Sequence, residues 1–381
     1  MLIDRLIIGG LRSYPPTPTT VTLAPLTLVF GPNSAGKSTL LSAIPILQQT
    51  SVRPNVLTMS GDLVEGGSFR MAVHRHQDST PITLGAGWTR PDGTPADVAG
   101  QYVWDPDRRI AARGRTTAHL GTQSLVASGA WPWHGQPDAT PLAELRAELF
   151  DRLERAYFVG PMRSRAERTT FVGQAGDDYI GPAGEDMAAI LHARPDLVAH
   201  VNAWCDQLGL GYRVRMLDPI NQDLVKTAGE FAVLALEDVR HDPPVLVSSR
   251  AVGYGIGQLL PIVVQSLLAR DALILIEQPE VHLHPRLQSA TGDLLIETVN
   301  QRRAQVLVET HSEHLVLRLL RRVREGVLPP QDLAILYVDL DDTGAAFVRR
   351  LEVDAGGDLI DGWPGGFFDD RLAEVLPGIG G

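Results

Sequence analysis

The sequence predicts an α/β protein with a parallel-sheet core, an antiparallel β subdomain and inserted helical segments. Three observations carry this expectation. Gly31, Gly36, Lys37 and Ser38 fit the spacing G-x-x-x-x-G-K-S, directly after an apolar strand and directly before a helix. From Gly257 onward helices and strands alternate strictly, the pattern of a parallel sheet with ligands at the carboxyl ends of its strands. Between Leu57 and Trp104 short β-like runs are separated by Gly, Pro and Asp, as in antiparallel strands.

In chain order, LIDRLIIGG and VTLAPLTLVF read as two strands separated by a Pro/Thr-rich loop, and a helix runs on from the glycine-rich loop through LLSAIPILQ. Asp105 to Pro141, rich in Gly, Pro, Trp and Arg, has the least regular pattern and reads as a surface insertion. Thr140 and Pro141 suit a helix start, after which Leu142, Leu145, Leu149 and Leu153 share one face. Two short helices are expected within Glu185 to Leu208, and Arg213 to Val247 alternates like strands. A helix through Leu268, a strand Leu273 to Glu277, a helix from Pro285, a strand Gln305 to Glu309, a helix from Ser312 and a strand Leu333 to Val338 complete the pattern. The implied segments are 1–104 with the phosphate loop, 105–250 as inserted and helical pieces, 251–345 as the second part of the core, and 346–381 as a terminal strand and tail.

A chain of 381 residues, 44% of them hydrophobic, can bury one large or two medium cores. The single cysteine, Cys205, cannot form an internal disulfide, and no signal-type or membrane-length apolar run is visible. A cytoplasmic protein without a membrane anchor is expected. The net charge of -11 argues against a surface that attracts nucleic acid everywhere, since nonspecific affinity comes mainly from neutralised phosphates; a local basic groove stays open.

The glycine-rich loop has a physical reason at each position. Glycines let the backbone curl so that amide groups face phosphate oxygens, the helix amino end adds positive potential, Lys37 reaches the terminal phosphates, and the Ser38 hydroxyl ligates Mg²⁺. Only two lysines occur, Lys37 and Lys226, so a chance match is expected in about one of several hundred such chains. Asn33, Ser34, Ala35, Gly36, Lys37, Ser38 and Thr39 are therefore the expected nucleotide contacts.

In LILIEQPEVHLHP, an apolar strand delivers Glu277 to the edge of a parallel sheet; Gln278 follows, and the next acid is Glu280. His311 follows the apolar run QVLVE and precedes a helix, which places it at the same carboxyl edge. Glu280, His282 and His284 alternate along an extended segment, the spacing of a metal site, although a purely structural loop uses the same residues.

LIIGGLRSY, the P-loop, GYGIGQLLPI, LILIEQPEVHLHP and ETHSEHL occur in the order seen in ABC-type ATPases, and the chain resembles their OLD, RecF and SMC-like branch. YFVGPMRSRAER and WPGGFF are similar to predicted ATPases of that branch found in antiphage defence loci. The resemblance implies a P-loop NTPase head that binds ATP with Mg²⁺ and dimerises head to tail. It implies Glu277 as the Walker B acid helping Ser38 hold Mg²⁺, His284 in the D-loop, and His311 as the switch histidine near the γ-phosphate. The signature segment maps to Gly255, Ile256, Gly257 and Gln258; Gly257 stands where relatives more often carry serine, which removes a hydroxyl contact to the partner's nucleotide.

Most relatives place a glutamate after the Walker B acid to polarise water; here it is Gln278. An amide orients water but accepts no proton, a loss of about 10²- to 10⁴-fold in rate, so slow turnover is expected. Glu280 is the favoured compensating acid; alternatively the phosphate takes the proton while Gln278 positions water. The resulting reading is an ATPase whose dimer controls a partner, such as an effector nuclease or a DNA-associated assembly in defence. A rarely hydrolysing nucleotide-gated clamp in DNA repair or maintenance and a transporter motor are the alternatives. A self-contained nuclease would use Asp339, Asp341 and Asp342, which a strand, turn, strand unit explains equally. Arg318, Arg321 and Arg322, and Arg163, Arg165 and Arg168, read as solvated faces, Trp131 and Trp133 as a packed loop or partner site, and WPGGFF as a pin on the core.

Overall fold

The structure, a computed structural model, describes residues 2–52, 55–128, 141–163, 170–171, 176, 178–217 and 231–364. Contacts divide the chain into two compact units, 1–156 with 320–381, and 157–319. These differ from the four consecutive sequence segments because chain packing brings residues after 320 back to the first unit.

The first unit begins with β1 (Arg5–Gly9), β2 (Thr19–Thr22), β3 (Leu26–Phe30), α1 (Lys37–Val52) and α2 (Phe69–Ala72). It continues with β4 (Ile82–Thr89), β5 (Pro95–Asp105), β6 (Ile110–Leu120), β7 (Gln123–Ser128) and α3 (Pro141–Glu154). VTLAPLTLVF is thus two strands, not one. Pro25 lacks an amide hydrogen, and Thr27 Oγ1 closes the break by accepting from the Ala24 amide at 2.9 Å.

An antiparallel sheet runs β2-β1-β4-β5-β6-β7. Its outer half corrects the surface-insertion reading. Residues after Asp105 extend the sheet, with Asp105 Oδ1 accepting from the Asp107 and Arg108 amides to turn β5 into β6. The strand signal was weak because β6 and β7 carry small and polar residues, and β7 is half exposed along an edge. Conversely, the stretch from Leu57 to Thr80 forms turns, isolated bridges and α2 rather than regular strands. The leucine stripe of α3 packs as its spacing requires, with Leu145 buried against Trp88, Ala96, Val98 and Ala118, and Leu142 and Leu149 at the rim. Trp131 and Trp133 lie outside the described residues.

The second unit contains β8 (Ala156–Val159), β9 (Thr170–Phe171), α4 (Met187–Ala193), α5 (Pro195–Leu208), β10 (Tyr212–Leu217), β11 (Phe231–Asp238) and β12 (Val245–Ser248). Then come α6 (Tyr254–Leu268), β13 (Leu273–Glu277), α7 (Pro285–Arg302), β14 (Gln305–Glu309) and α8 (Glu313–Arg324), which runs past the unit boundary. The buried strands β13 and β14 pair in parallel, Glu277 opposite Glu309, with β8 on the other side of β13. A small antiparallel sheet, β10-β11-β12 with β9 on β11, lies apart in sequence.

The chain closes with β15 (Leu333–Leu340) and β16 (Ala346–Leu351) in the first unit. There β15 pairs with β3 in parallel and with β16 antiparallel. Trp363 stands edge-on to Phe30 at 6.0 Å, as the pinning role expected; Gly365 to Phe368 lie outside the described residues.

Candidate functional site

The phosphate loop leaves the fully buried β3 and needs its glycines. Gly31, at φ 142, passes so close to β15 that a Cβ would sit 2.0 Å from the Val338 carbonyl oxygen. Gly36, at φ 110, would place a Cβ 2.7 Å from Ser13 Oγ, and Ser34 also takes a left-handed φ of 63°. Successive turns of this kind aim backbone amides inward, the geometry of an anion-binding nest, so these residues fit a phosphate. The Lys37 ammonium donates to the Gly31 and Pro32 carbonyls at 3.0 and 2.7 Å, holding it along the loop. Tyr14 OH donates to the Gly36 carbonyl at 3.3 Å. Asn33, Ser34 and Ser38 are exposed, while the Ala35 and Thr39 side chains are buried, so those two can offer only backbone groups.

In the second unit, Glu277 ends β13 half-buried, and the chain then bends sharply. Gln278 has φ 44°, rare for a side chain branching from an L-residue, and its amide donates to the Glu309 carbonyl at 2.8 Å. Glu280 accepts from the His311 amide at 2.6 Å through Oε1 and from Thr310 Oγ1 at 2.8 Å through Oε2. Burial raises its pKa, an effect opposed by those hydrogen bonds and by the charge of Arg163. The acid expected to take a proton from water thus also ties the bend after β13 to Thr310 and His311 after β14.

The residues after β14 are held by local caps. Ser312 Oγ accepts from the Leu315 amide at 3.0 Å to start α8, and donates to Gln288 Oε1 at 2.7 Å. The His311 residue is exposed. His284 caps α7, its Nδ1 accepting from the Arg286 amide at 3.2 Å, and His282 packs edge-on to Tyr254 at 4.6 Å. Among the described residues no group of three or more His, Cys, Asp or Glu could hold a metal ion, so Glu280, His282 and His284 do not form one. Gly255 is required by packing, since a Cβ would lie 2.5 Å from the His282 carbonyl oxygen; a Cβ on Gly257 would meet nothing within 4 Å.

Arg163 corrects the solvated-face reading. It is 2% exposed, and its guanidinium donates to the carbonyls of Gly160, Glu277 and Gln278 at 2.9, 3.0 and 2.9 Å. Sequence spacing gave no sign of this, because the arginine and the strand end it serves are far apart in the chain. Arg165 and Arg168 lie outside the described residues. On α8, Arg321 and Arg322 share Glu325, and Arg318 reaches Asp293 at 3.4 Å, surface pairs of small energetic weight. Sequence reasoning also passed over Glu309, a 2% exposed carboxylate in register with Glu277, whose only sequence sign was an acid closing an apolar strand. Asp341 is occupied in its turn, accepting from the Thr343 and Ala345 amides at 2.8 and 2.9 Å.

Comparison with solved structures assigns the fold class. The chain is similar to an SMC head bound to the C-winged helix domain of ScpA, with a TM-score of 0.55 at 15% identity, covering 92% of this chain and 98% of that one. An Smc head from Pyrococcus furiosus, with an extended coiled coil and bound to the C-terminal domain of ScpA, gives 0.51 at 13% identity and covers 98% of both chains. The fold is therefore that of ABC-type P-loop NTPase heads. Residues 226–316, which include Gly255 to Gln258, Glu277 and His311, match a family model described as an AAA ATPase domain. A search of curated proteins finds no match. Among the described residues no helix is long and apolar enough to cross a membrane.

Proposed function

We propose that this chain is an ATPase that binds Mg·ATP at its phosphate loop and hydrolyses it slowly, its nucleotide-dependent head-to-tail dimer regulating a partner. The observation that carries the reading is the loop itself, in which Gly31 and Gly36 adopt backbone angles that other residues avoid and Lys37 is held alongside. The match of residues 226–316 to an ATPase-domain model supports the same activity.

In this reading the amides around Ser34 and Gly36 bind the phosphates and Lys37 swings from its carbonyl partners to the terminal ones. Ser38 would help hold Mg²⁺, with Glu277 as the acid the resemblance implies, and the ion would neutralise charge on the phosphate oxygens. Gln278 orients water. Glu280 holds the switch segment in place through both carboxylate oxygens, and the phosphate accepts the proton; the alternative role of Glu280 as proton acceptor predicts a different mutant. Glu280→Gln keeps an oxygen that can accept from the His311 amide, and its NH2 group can donate to Thr310 Oγ1 in place of the bond now donated by that hydroxyl, so turnover within about threefold of wild type supports the positioning role, whereas a loss of about 10²-fold or more assigns it the proton.

Gly255 and Gly257 face a partner copy's nucleotide in the proposed dimer. The OLD-like sequence segments favour an effector such as a nuclease, or a DNA-associated assembly in antiphage defence, as the partner. Gln278 in place of an acid favours a second reading, a nucleotide-gated clamp in which binding outweighs turnover. Titration with a fluorescent ATP analogue and a steady-state phosphate-release assay separate the possibilities. Wild type is expected to bind Mg·ATP, and Lys37→Ala to lose at least about tenfold in affinity. Equal affinity of wild type and Lys37→Ala overturns the proposal; binding without measurable turnover selects the clamp.

A further inference from the structure

We infer that Arg163 is a positioning residue that ties the bend after Glu277 to the start of α6, so that the signature segment and the carboxyl end of β13 keep one fixed geometry. The inference rests on the ATPase reading and adds to it a residue whose sequence context gave no role.

Three observations in the second unit support it. The first is the chemistry of the guanidinium. It is buried, yet its hydrogen-bond partners are three backbone carbonyls, those of Gly160, Glu277 and Gln278, and its Nε is buried with no partner. A buried cation that spends its donors on carbonyls fixes backbone position rather than neutralising a carboxylate. Burial lowers its pKa to about 10, opposed by the charges of Glu280 and Glu277, so the group stays charged at neutral pH.

The second is the strained bend. Gln278 sits at φ 44°, a conformation that costs a side-chain-bearing residue about 1 kcal/mol or more and persists only when its surroundings fix it. Its amide is fixed by the Glu309 carbonyl, and its carbonyl by Arg163. The third is the link outward. The Arg163 carbonyl accepts from Gln258 Nε2 at 2.8 Å, and Gln258 is 1% exposed in the first turns of α6, next to Gly255 and Gly257. One residue therefore holds the bend with its side chain and the signature helix with its backbone.

Lysine at this position keeps the charge but loses the fork that reaches several carbonyls at once. The test uses the full chain and reads melting temperature, affinity for a fluorescent ATP analogue, and kcat, for wild type, Arg163→Lys, Gln258→Leu and the double variant. Expected are a kcat about tenfold lower in each single variant, affinity within about threefold of wild type, and a double variant no slower than the worse single. Wild-type kcat in both single variants, or effects that multiply in the double variant, overturns the inference, as does a parallel loss of affinity, kcat and melting temperature. If the Arg163 variants do not fold, the smaller change Gln258→Leu decides alone by the same split between affinity and kcat. A wild type that binds no Mg·ATP is a different result: it removes the ATPase reading itself.

Discussion

The phosphate loop and the bend after β13 perform similar turns by opposite means. In the loop, Gly31 and Gly36 reach positive φ at no steric cost, and adjacent backbone occupies the space a Cβ would need at Gly31. After β13, Gln278 and His282 reach positive φ carrying full side chains, and the geometry is held by buried partners: Arg163 and Glu309 on Gln278, Glu280 on the switch segment. The first turn is encoded where it occurs. The second is imposed by residues elsewhere in the chain, and it stands at the position where an amide replaces the expected acid.

This contrast makes graded predictions. The largest effect is expected at Gly31: Gly31→Ala combines an unfavourable φ with a 2.0 Å approach to the Val338 carbonyl and should cost about 3 kcal/mol or more in chemical denaturation. A destabilisation under about 1 kcal/mol would show that the loop is not built on glycine geometry. Next, Gln278→Glu should raise kcat by about 10-fold or more in a phosphate-release assay, because a carboxylate at the position proposed to orient water adds a general base beside the phosphate that otherwise takes the proton. Unchanged turnover would mean that the position does not face water.

A smaller effect is expected from Gln278→Gly, which relieves the left-handed strain at the bend. It should stabilise the fold by about 0.5–1 kcal/mol in denaturant titration while lowering turnover, because no side chain remains there to orient water. Destabilisation would place the Gln278 side chain in packing that outweighs the strain. The smallest effect is a pH dependence. Because burial raises the Glu280 pKa, the native state holds this proton more tightly than the unfolded chain does, so stability falls as pH rises through the interval between the two pKa values. Comparing wild type with Glu280→Gln from pH 4 to pH 7 should show the variant gaining relative stability toward pH 7. A constant difference would mean that the carboxyl titrates as it does unfolded.

Legibility of the sequence followed the same line. The core strands were readable because β3, β13 and β14 are short apolar runs bounded by turn residues, and α3 because its leucines recur at helical spacing. The strands β6 and β7 were missed because small and polar residues on an edge leave no alternation to read. At the candidate site, spacing singled out Lys37 and Ser38, and the apolar strand it closes, together with the resemblance, singled out Glu277. The role of Arg163 was not, since no pattern around it distinguishes a buried guanidinium from an exposed one.

By itself the sequence determined the α/β class, the glycine-dependent phosphate loop and the end points of β13 and β14, because backbone freedom and local periodicity are properties of neighbouring residues. Only the tertiary structure decided that Arg163 is buried on the carbonyls of Glu277 and Gln278, that both Glu280 oxygens are engaged, and that Glu309 lies in register with Glu277. Those facts depend on which distant segments exclude water together, and hydrogen bonds in such places form between residues that the sequence does not bring near one another.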